Sequence, residues 1–236
     1  MKAQNIGARL REARLERGMS LRSVAQALGV SASLISQVET GKTQPSVSTL
    51  WALVTHLGIS IDDLLGVTPP AAAASANAAP EFDLTPGSPA IHPVQRFEDN
   101  PVLEMENGVR WERLAMHDGG PADALLVTYE PGASSSIEGR LMRHAGIEYA
   151  YLIEGELTLQ LDFDSHVLRA GDSLHLDSVR PHLFSNHGTT AARGVWFVVG
   201  RRQQNRAMPA APAGDQGERV GTLGSAVDVL RAMDNL

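Results

Sequence analysis

The chain has 236 residues, 43% hydrophobic and 20% charged, ordinary for a soluble globular protein of two domains; it has no cysteine, which excludes disulfides and thiolate metal ligands. Net charge is −7, but residues 1–60 hold seven Lys and Arg against three Glu, a net of +4 that leaves −11 for the remainder. Salt screens charge over about 8 Å, so a basic head on an acidic body can still hold DNA, whereas the charged opening MKAQNIGARLREARLERG excludes a secretory signal. No later stretch approaches a transmembrane span, and a cytoplasmic protein without a membrane partner is expected.

A first helix is predicted from about Gln4 to Arg17, with Ile6, Leu10 and Leu15 inward and Gly18 closing it. Ser20 can cap a second helix that buries Leu21, Val24, Ala25 and Leu28, and Gly29 supplies the left-handed residue that ends it. Ser31 then caps a third helix whose buried side is Leu34, Ile35 and Val38. Its other face carries Ser31, Ala32, Ser33, Ser36 and Gln37, small or amide side chains in place of the long charged ones of a merely solvated surface. Such a face fits a major groove, where Gln pairs with adenine, Ser donates or accepts, and Ala meets a thymine methyl. Pro45 lies in the following loop, and Ser46 or Ser48 can cap a fourth helix from about Val47 to Leu57 with Leu50, Trp51, Leu53, Val54 and Leu57 apolar. A tryptophan on such a face is read as core or as a dimer contact. Ser60 to Leu65 makes a last short helix.

The pattern Ile6-Gly7, Leu10-Arg11, Arg14, Gly18, Ser20-Leu21, Val24-Ala25, Leu28-Gly29-Val30-Ser31, Leu34-Ile35-Ser36, Glu39, Gly41 and Pro45 resembles the Xre family of helix-turn-helix regulators over about residues 5–66. The resemblance implies a five-helix, lambda-repressor-like domain over residues 1–66. It implies base contact by Ala32, Ser33 and Gln37, with Ser31, Ser36, Lys42 and the neighbouring Arg22 serving a double-stranded operator. Arg14 and Glu39 fall where such proteins carry a structural ion pair. A single head reading a few base pairs binds weakly, so a homodimer on a two-fold related site is expected.

Residues 67–90, VTPPAAAASANAAPEFDLTPGSPA with Val67 first, are a linker by composition. From about residue 91 to residue 200 the period changes to alternation. Short strands are predicted at Val109–Met116, Ala124–Tyr129, Glu148–Ile153, Glu156–Leu161, Ser173–Leu176, His182–Phe184 and Gly194–Val199, which argues for a sandwich or barrel. Counting by two from Glu148 sends Ala150 and Leu152 inward and Tyr149 and Tyr151 outward, to a surface or interface.

His144-x-x-x-Glu148 with Gly155, followed by Gly171-Asp172 and Pro181-His182-x-x-x-Asn186, resembles the two signature motifs of cupins over about residues 109–199. The resemblance implies a jelly-roll barrel and a site in which motif one supplies two histidines and a glutamate, and motif two a further histidine. Here Met142 stands where the first histidine would be, leaving His144, Glu148 and His182. Two imidazoles and a carboxylate can hold a divalent Zn, Fe, Ni or Mn with open positions. The same three side chains can instead hydrogen-bond an organic effector without metal, and both readings stay open. A small barrel with convergent polar groups is a ligand pocket in either case, with Arg140 and Phe184 as neighbours able to reach an effector. Arg143, His175 and Trp196 also lie close in sequence; Asn186 serves a turn, and His92, His117, His166 and His187 read as surface or loop residues.

Residues 201–236 form a polar tail in which Leu223, Val227, Leu230 and Met233 fall at helical spacing. The expected protein is a non-enzymatic, effector-sensing transcription regulator. The rival is a metal-dependent cupin dioxygenase or isomerase carrying a DNA-binding head. An alanine-rich linker transmits force poorly, so coupling is expected through a dimer interface or through contacts of the head with the barrel.

Overall fold

A computed structural model describes residues 6–65, 94–115, 122–137 and 139–200. The linker over 67–90, the tail with its terminal helix, His92, His117 and Met116 lie outside the described residues. Among the described residues, no helix is long and apolar enough to cross a membrane.

The head contains α1 (Ile6–Glu16), α2 (Leu21–Leu28), α3 (Ala32–Glu39), α4 (Val47–Leu57) and α5 (Ile61–Leu65). Each of the three central helices starts on a serine. The hydroxyls of Ser20, Ser31 and Ser46 accept from the backbone N–H of Ser23, Leu34 and Thr49, and Ser23 returns the bond to make a capping box. Gly29 and Gly58 end α2 and α4 in the left-handed region.

One expectation for α1 fails. Leu15 is 56% exposed, while Ile6, Gly7, Leu10, Ala13 and Arg14 face inward. The stripe runs through position 14, not 15, because Arg14 reaches across to Glu39 on α3. Nε donates to Oε1 at 2.6 Å and Nη2 to Oε2 at 2.8 Å, while Nη1 donates to the Met19 carbonyl. A fully hydrogen-bonded ion pair takes the place of an apolar residue, and hydrophobic periodicity misreads it by one step. At Gly7 an added Cβ would lie 2.3 Å from the Val38 carbonyl oxygen, so only glycine lets α1 and α3 approach this closely. Leu21, Leu28 and Leu34 are partly buried, packed against the core rather than inside it.

The remainder is antiparallel β. A six-stranded sheet has the order β1 (Val102–Glu104), β2 (Val109–Leu114), β3 (Ala122–Tyr129), β9 (Ala192–Val199), β4 (Ile147–Glu154), β7 (Ser173–Asp177). A three-stranded sheet has the order β6 (Asp164–Arg169), β5 (Glu156–Leu161), β8 (His182–Ser185). Leu157, Leu159 and Phe184 of the small sheet and Leu125, Val127, Ala150, Leu152, Trp196 and Val198 of the large one share one core, with Phe184 against Tyr129 and Trp196. This is a cupin-type jelly roll. β1 and β6 are additional to the predicted strands. β6, DSHVLR, is an edge strand with almost every side chain exposed, so it has no inward face to leave an alternating trace.

Head and barrel share their packing. The backbone N–H of Ser48 donates to the Ser135 carbonyl at 3.0 Å, and that of Glu106 to the Pro45 carbonyl at 3.1 Å. Arg113 on β2, among the most buried side chains described, donates from Nε and Nη2 to the carboxylate of Asp62 on α5 at 2.8 and 3.2 Å, with Asp123 on β3 3.6 Å away. Its Nη1 donates to the carbonyls of Leu114 and Ala124.

Candidate functional site

The barrel site is assembled from three places in the chain. His144 sits in the loop before β4, fixed by its backbone N–H to the Ser178 carbonyl at 2.9 Å. Glu148 points inward from β4, and His182 opens β8, paired in both directions through its backbone with Met142. All three side chains are buried, and one ligand atom from each lies within 4.8 Å of the others.

The details fit an ion. Nε2 of His144 and Nε2 of His182 stand 2.9 and 3.3 Å from the same Glu148 oxygen. Both nitrogens are buried and meet Glu148 as close charge contacts without a well-aligned hydrogen bond. Donors bound at about 2.1 Å to one ion stand about 3.0–3.4 Å apart, close to the two imidazole–carboxylate separations here. On the far side of each ring, Nδ1 lies against a backbone carbonyl, Ala145 at 3.2 Å for His144 and Arg180 at 2.8 Å for His182. A carbonyl can only accept, so it holds a proton on Nδ1 and turns Nε2 toward the centre. Ser178, wholly buried, donates its hydroxyl to Glu148 Oε1 at 3.0 Å and fixes the carboxylate. The three residues therefore suit a divalent ion with further positions open.

Electrostatics tie the three groups to one another. Burial raises the Glu148 carboxyl, but the imidazoles of His144 and His182 outweigh it and hold the group far below the usual carboxylate range. Burial lowers His182, and the adjoining carboxylate with the Arg180 carbonyl more than reverses this, so its pKa is raised. Burial, then the charge of Glu148, pushes the Tyr129 hydroxyl well up, and it stays neutral.

Glu148 lines a cavity together with Trp111, Leu125, Val127, Tyr129, Met142, Phe184, Trp196 and Val198 of the barrel and Val47 and Trp51 of the head. Of the five residues expected around an effector, Glu148 and Phe184 line this cavity, and His144 and His182 converge on Glu148. Arg140 is exposed in the preceding loop and is not among the cavity-lining residues, because the strand-like stretch that turns Met142 inward starts after it. Arg143 is exposed, as are Tyr149 and His175, which stack on each other on the outer face. Asn186 is buried in a turn, donating to the carbonyls of Tyr129 and Thr190. His166 and His187 are exposed.

Three residues in and around the site carry no sequence signal of their own. Ser178 is one serine among several. Trp51 and Trp111 meet only in three dimensions: their ring centroids are 5.4 Å apart, and the Trp51 indole stacks on the His144 imidazole at 4.6 Å and 20°.

On the head, Arg22, Ser31, Ser33, Gln37 and Lys42 are exposed and Ala32 and Ser36 half-buried, on or beside the outward side of α3. The Ser31 hydroxyl is engaged as the cap. The Gln37 amide lies between two hydroxyls, donating to Ser33 and accepting from Thr43, each at 3.3 Å. Thr43 is thus a neighbour of the reading face that the sequence pattern does not single out.

Known proteins match along the same lines. The helix-turn-helix family matches residues 10–64 and the cupin domain family residues 125–198. The HTH-type transcriptional regulator PuuR of Escherichia coli (strain K12) is 30% identical over 183 residues, 76% of this chain and 86% of that protein. The HTH-type transcriptional regulator SutR of the same organism is 25% identical over 187 residues, covering 79% and 89%. In fold, an HTH_3 family transcriptional regulator from Vibrio cholerae superposes with a TM-score of 0.56 at 20% identity, covering 84% of this chain and 97% of that one.

Proposed function

Because this chain belongs to the family of HTH-type transcriptional regulators that join a helix-turn-helix domain to a cupin domain, and is a DNA-binding regulator, we propose that its barrel holds a divalent metal ion and reports occupancy to the head. The observation that carries this is the convergence of two buried Nε2 atoms on one Glu148 oxygen without an aligned hydrogen bond, each with its other nitrogen against a carbonyl. His144, Glu148 and His182 are the ligands in this reading, with Zn, Fe, Ni or Mn as the candidate ions. The ion supplies a fixed charge and open positions for a ligand. The chain's residues supply orientation: Ser178 holds the carboxylate and the two carbonyls hold the imidazoles.

Ala32, Ser33 and Gln37 read bases in this account; Arg22, Ser31, Ser36 and Lys42 serve the phosphates. The protein acts on chromosomal DNA in the cytoplasm as a homodimer. The outer face of β4 and β9 supports that pairing: Ile147, Tyr149, Tyr151, Ile153 and Phe197 are each 39–51% exposed, a contiguous apolar stripe. A two-histidine, one-carboxylate set also suits an oxygenase. Against catalysis stand the named relatives, which are transcriptional regulators.

The reading face is tested by selecting sites from random DNA with the full chain and comparing variants at fixed salt. Gln37→Ala is expected to lose about 1–3 kcal/mol on the selected site and little on random DNA, and Lys42→Ala to weaken both alike. Equal binding of selected and random DNA by the wild type would refute sequence reading by this face.

A further inference from the structure

We propose that Trp51 is a plug inserted by the DNA-binding head into the barrel: its indole takes the place of a small organic effector with an apolar, ring-bearing body, so that such an effector and the docked head exclude each other. This rests on the reading of the barrel as an effector site and deepens it by naming the ligand class and the residue displaced.

Trp51 belongs to α4, yet its side chain forms part of the cavity wall, is 3% exposed, and lies flat on His144. The remainder of that wall, Trp111, Tyr129, Phe184 and Trp196 with Leu125 and Val127, is aromatic and aliphatic, a surface suited to a ring. The charged group among the lining residues is Glu148, on which His144 and His182 converge. With the indole in place the free volume is about 20 Å³. A water requires about 10–15 Å³ by this measure, so a single ion or water enters without moving the head and an organic molecule does not.

The two ligand classes therefore act differently. An ion bound to His144 fixes the ring on which Trp51 rests and favours docking. An organic molecule must first expel Trp51, and with it the start of α4, where the Pro45 and Ser48 backbone bonds join head to barrel. Its apparent affinity is reduced by the fraction of molecules in which the plug is out. Removing the indole removes that reduction.

The test uses the full chain as wild type, Trp51→Phe and Trp51→Ala, with indole as the organic probe and Co²⁺ as the ion, each titrated calorimetrically. Indole is expected to bind Trp51→Ala at least tenfold more tightly than wild type, with Trp51→Phe between them and Co²⁺ uptake retained by all three. Indole binding no tighter to a folded Trp51→Ala than to wild type overturns the proposal. Should Trp51→Ala fail to fold, Trp51→Phe carries the comparison: a gain over wild type supports the plug and equality overturns it. The two arms separate the two readings. A wild type that takes up no Co²⁺ while indole still prefers Trp51→Ala supports the plug and overturns the metal.

Discussion

Ser178 shows how much of the site lies outside its three donors. Its hydroxyl is the side-chain donor to the Glu148 oxygen that faces both imidazoles, and it is wholly buried. Groups of this kind tune ligand orientation, and losing one costs about 10–100-fold in metal affinity. Ser178→Ala is expected to weaken Co²⁺ binding by that factor while leaving the fold intact, and His182→Ala to abolish it. The chain's three tryptophans, Trp51, Trp111 and Trp196, all line this cavity, so quenching of intrinsic fluorescence is a direct readout. Undiminished quenching in His182→Ala would place the ion elsewhere. The donors themselves were legible in the sequence, because a histidine and a glutamate four apart, with a later Pro-His, carry a recognisable spacing. Their supports were not: a serine hydroxyl and two backbone carbonyls become partners only when the loop after β7 closes over β4. Arg140 illustrates the converse error. Nearness in sequence suggested reach, but Arg140 is exposed and is not among the residues that line the cavity.

At the scale of the element, α1 and α3 are joined by a buried ion pair where two apolar residues would otherwise meet. Breaking one partner strands a charge, a loss of about 3–5 kcal/mol. Glu39→Ala is therefore expected to lower stability to denaturant by about that amount, and Arg14→Met combined with Glu39→Leu to lose much less. Equal losses in the single and double variants would mean that the contact surface, not the stranded charge, sets the cost. The same pair explains what the sequence conveyed about the head. Caps at Ser20, Ser31 and Ser46 and stops at Gly29 and Gly58 depend on local chemistry and are visible in one dimension. The orientation of α1 depends on Arg14 finding Glu39, so the stripe was read through Leu15 when it runs one residue earlier. In the barrel, strands with one buried face announced themselves by alternation, and β6, exposed along nearly its whole length, did not.

For the whole molecule, head and barrel meet in direct contact. Asp62 on α5 closes on Arg113 of β2 in the interior, Pro45 and Ser48 exchange backbone bonds with Glu106 and Ser135, and Trp51 rests on His144. An alanine- and proline-rich linker had suggested that coupling must run through a dimer interface or through head and barrel surfaces; the second route is present in the described residues. Its contacts include a buried ion pair, backbone hydrogen bonds and an aromatic stack, a pattern that stabilises one docked arrangement. To move such an equilibrium a ligand needs different affinities for the docked and released states, and Trp51 supplies the difference.

The central claim is that the state of the barrel sets DNA binding through Trp51. Its most direct test is the dissociation constant for a selected operator, measured by gel shift at fixed salt with metal-free and Co²⁺-loaded full-length protein, for wild type and for Trp51→Ala. The account predicts at least a fivefold difference between the two forms of the wild type and its loss in Trp51→Ala. The same constant for both wild-type forms, or a difference that persists without the indole, would contradict it.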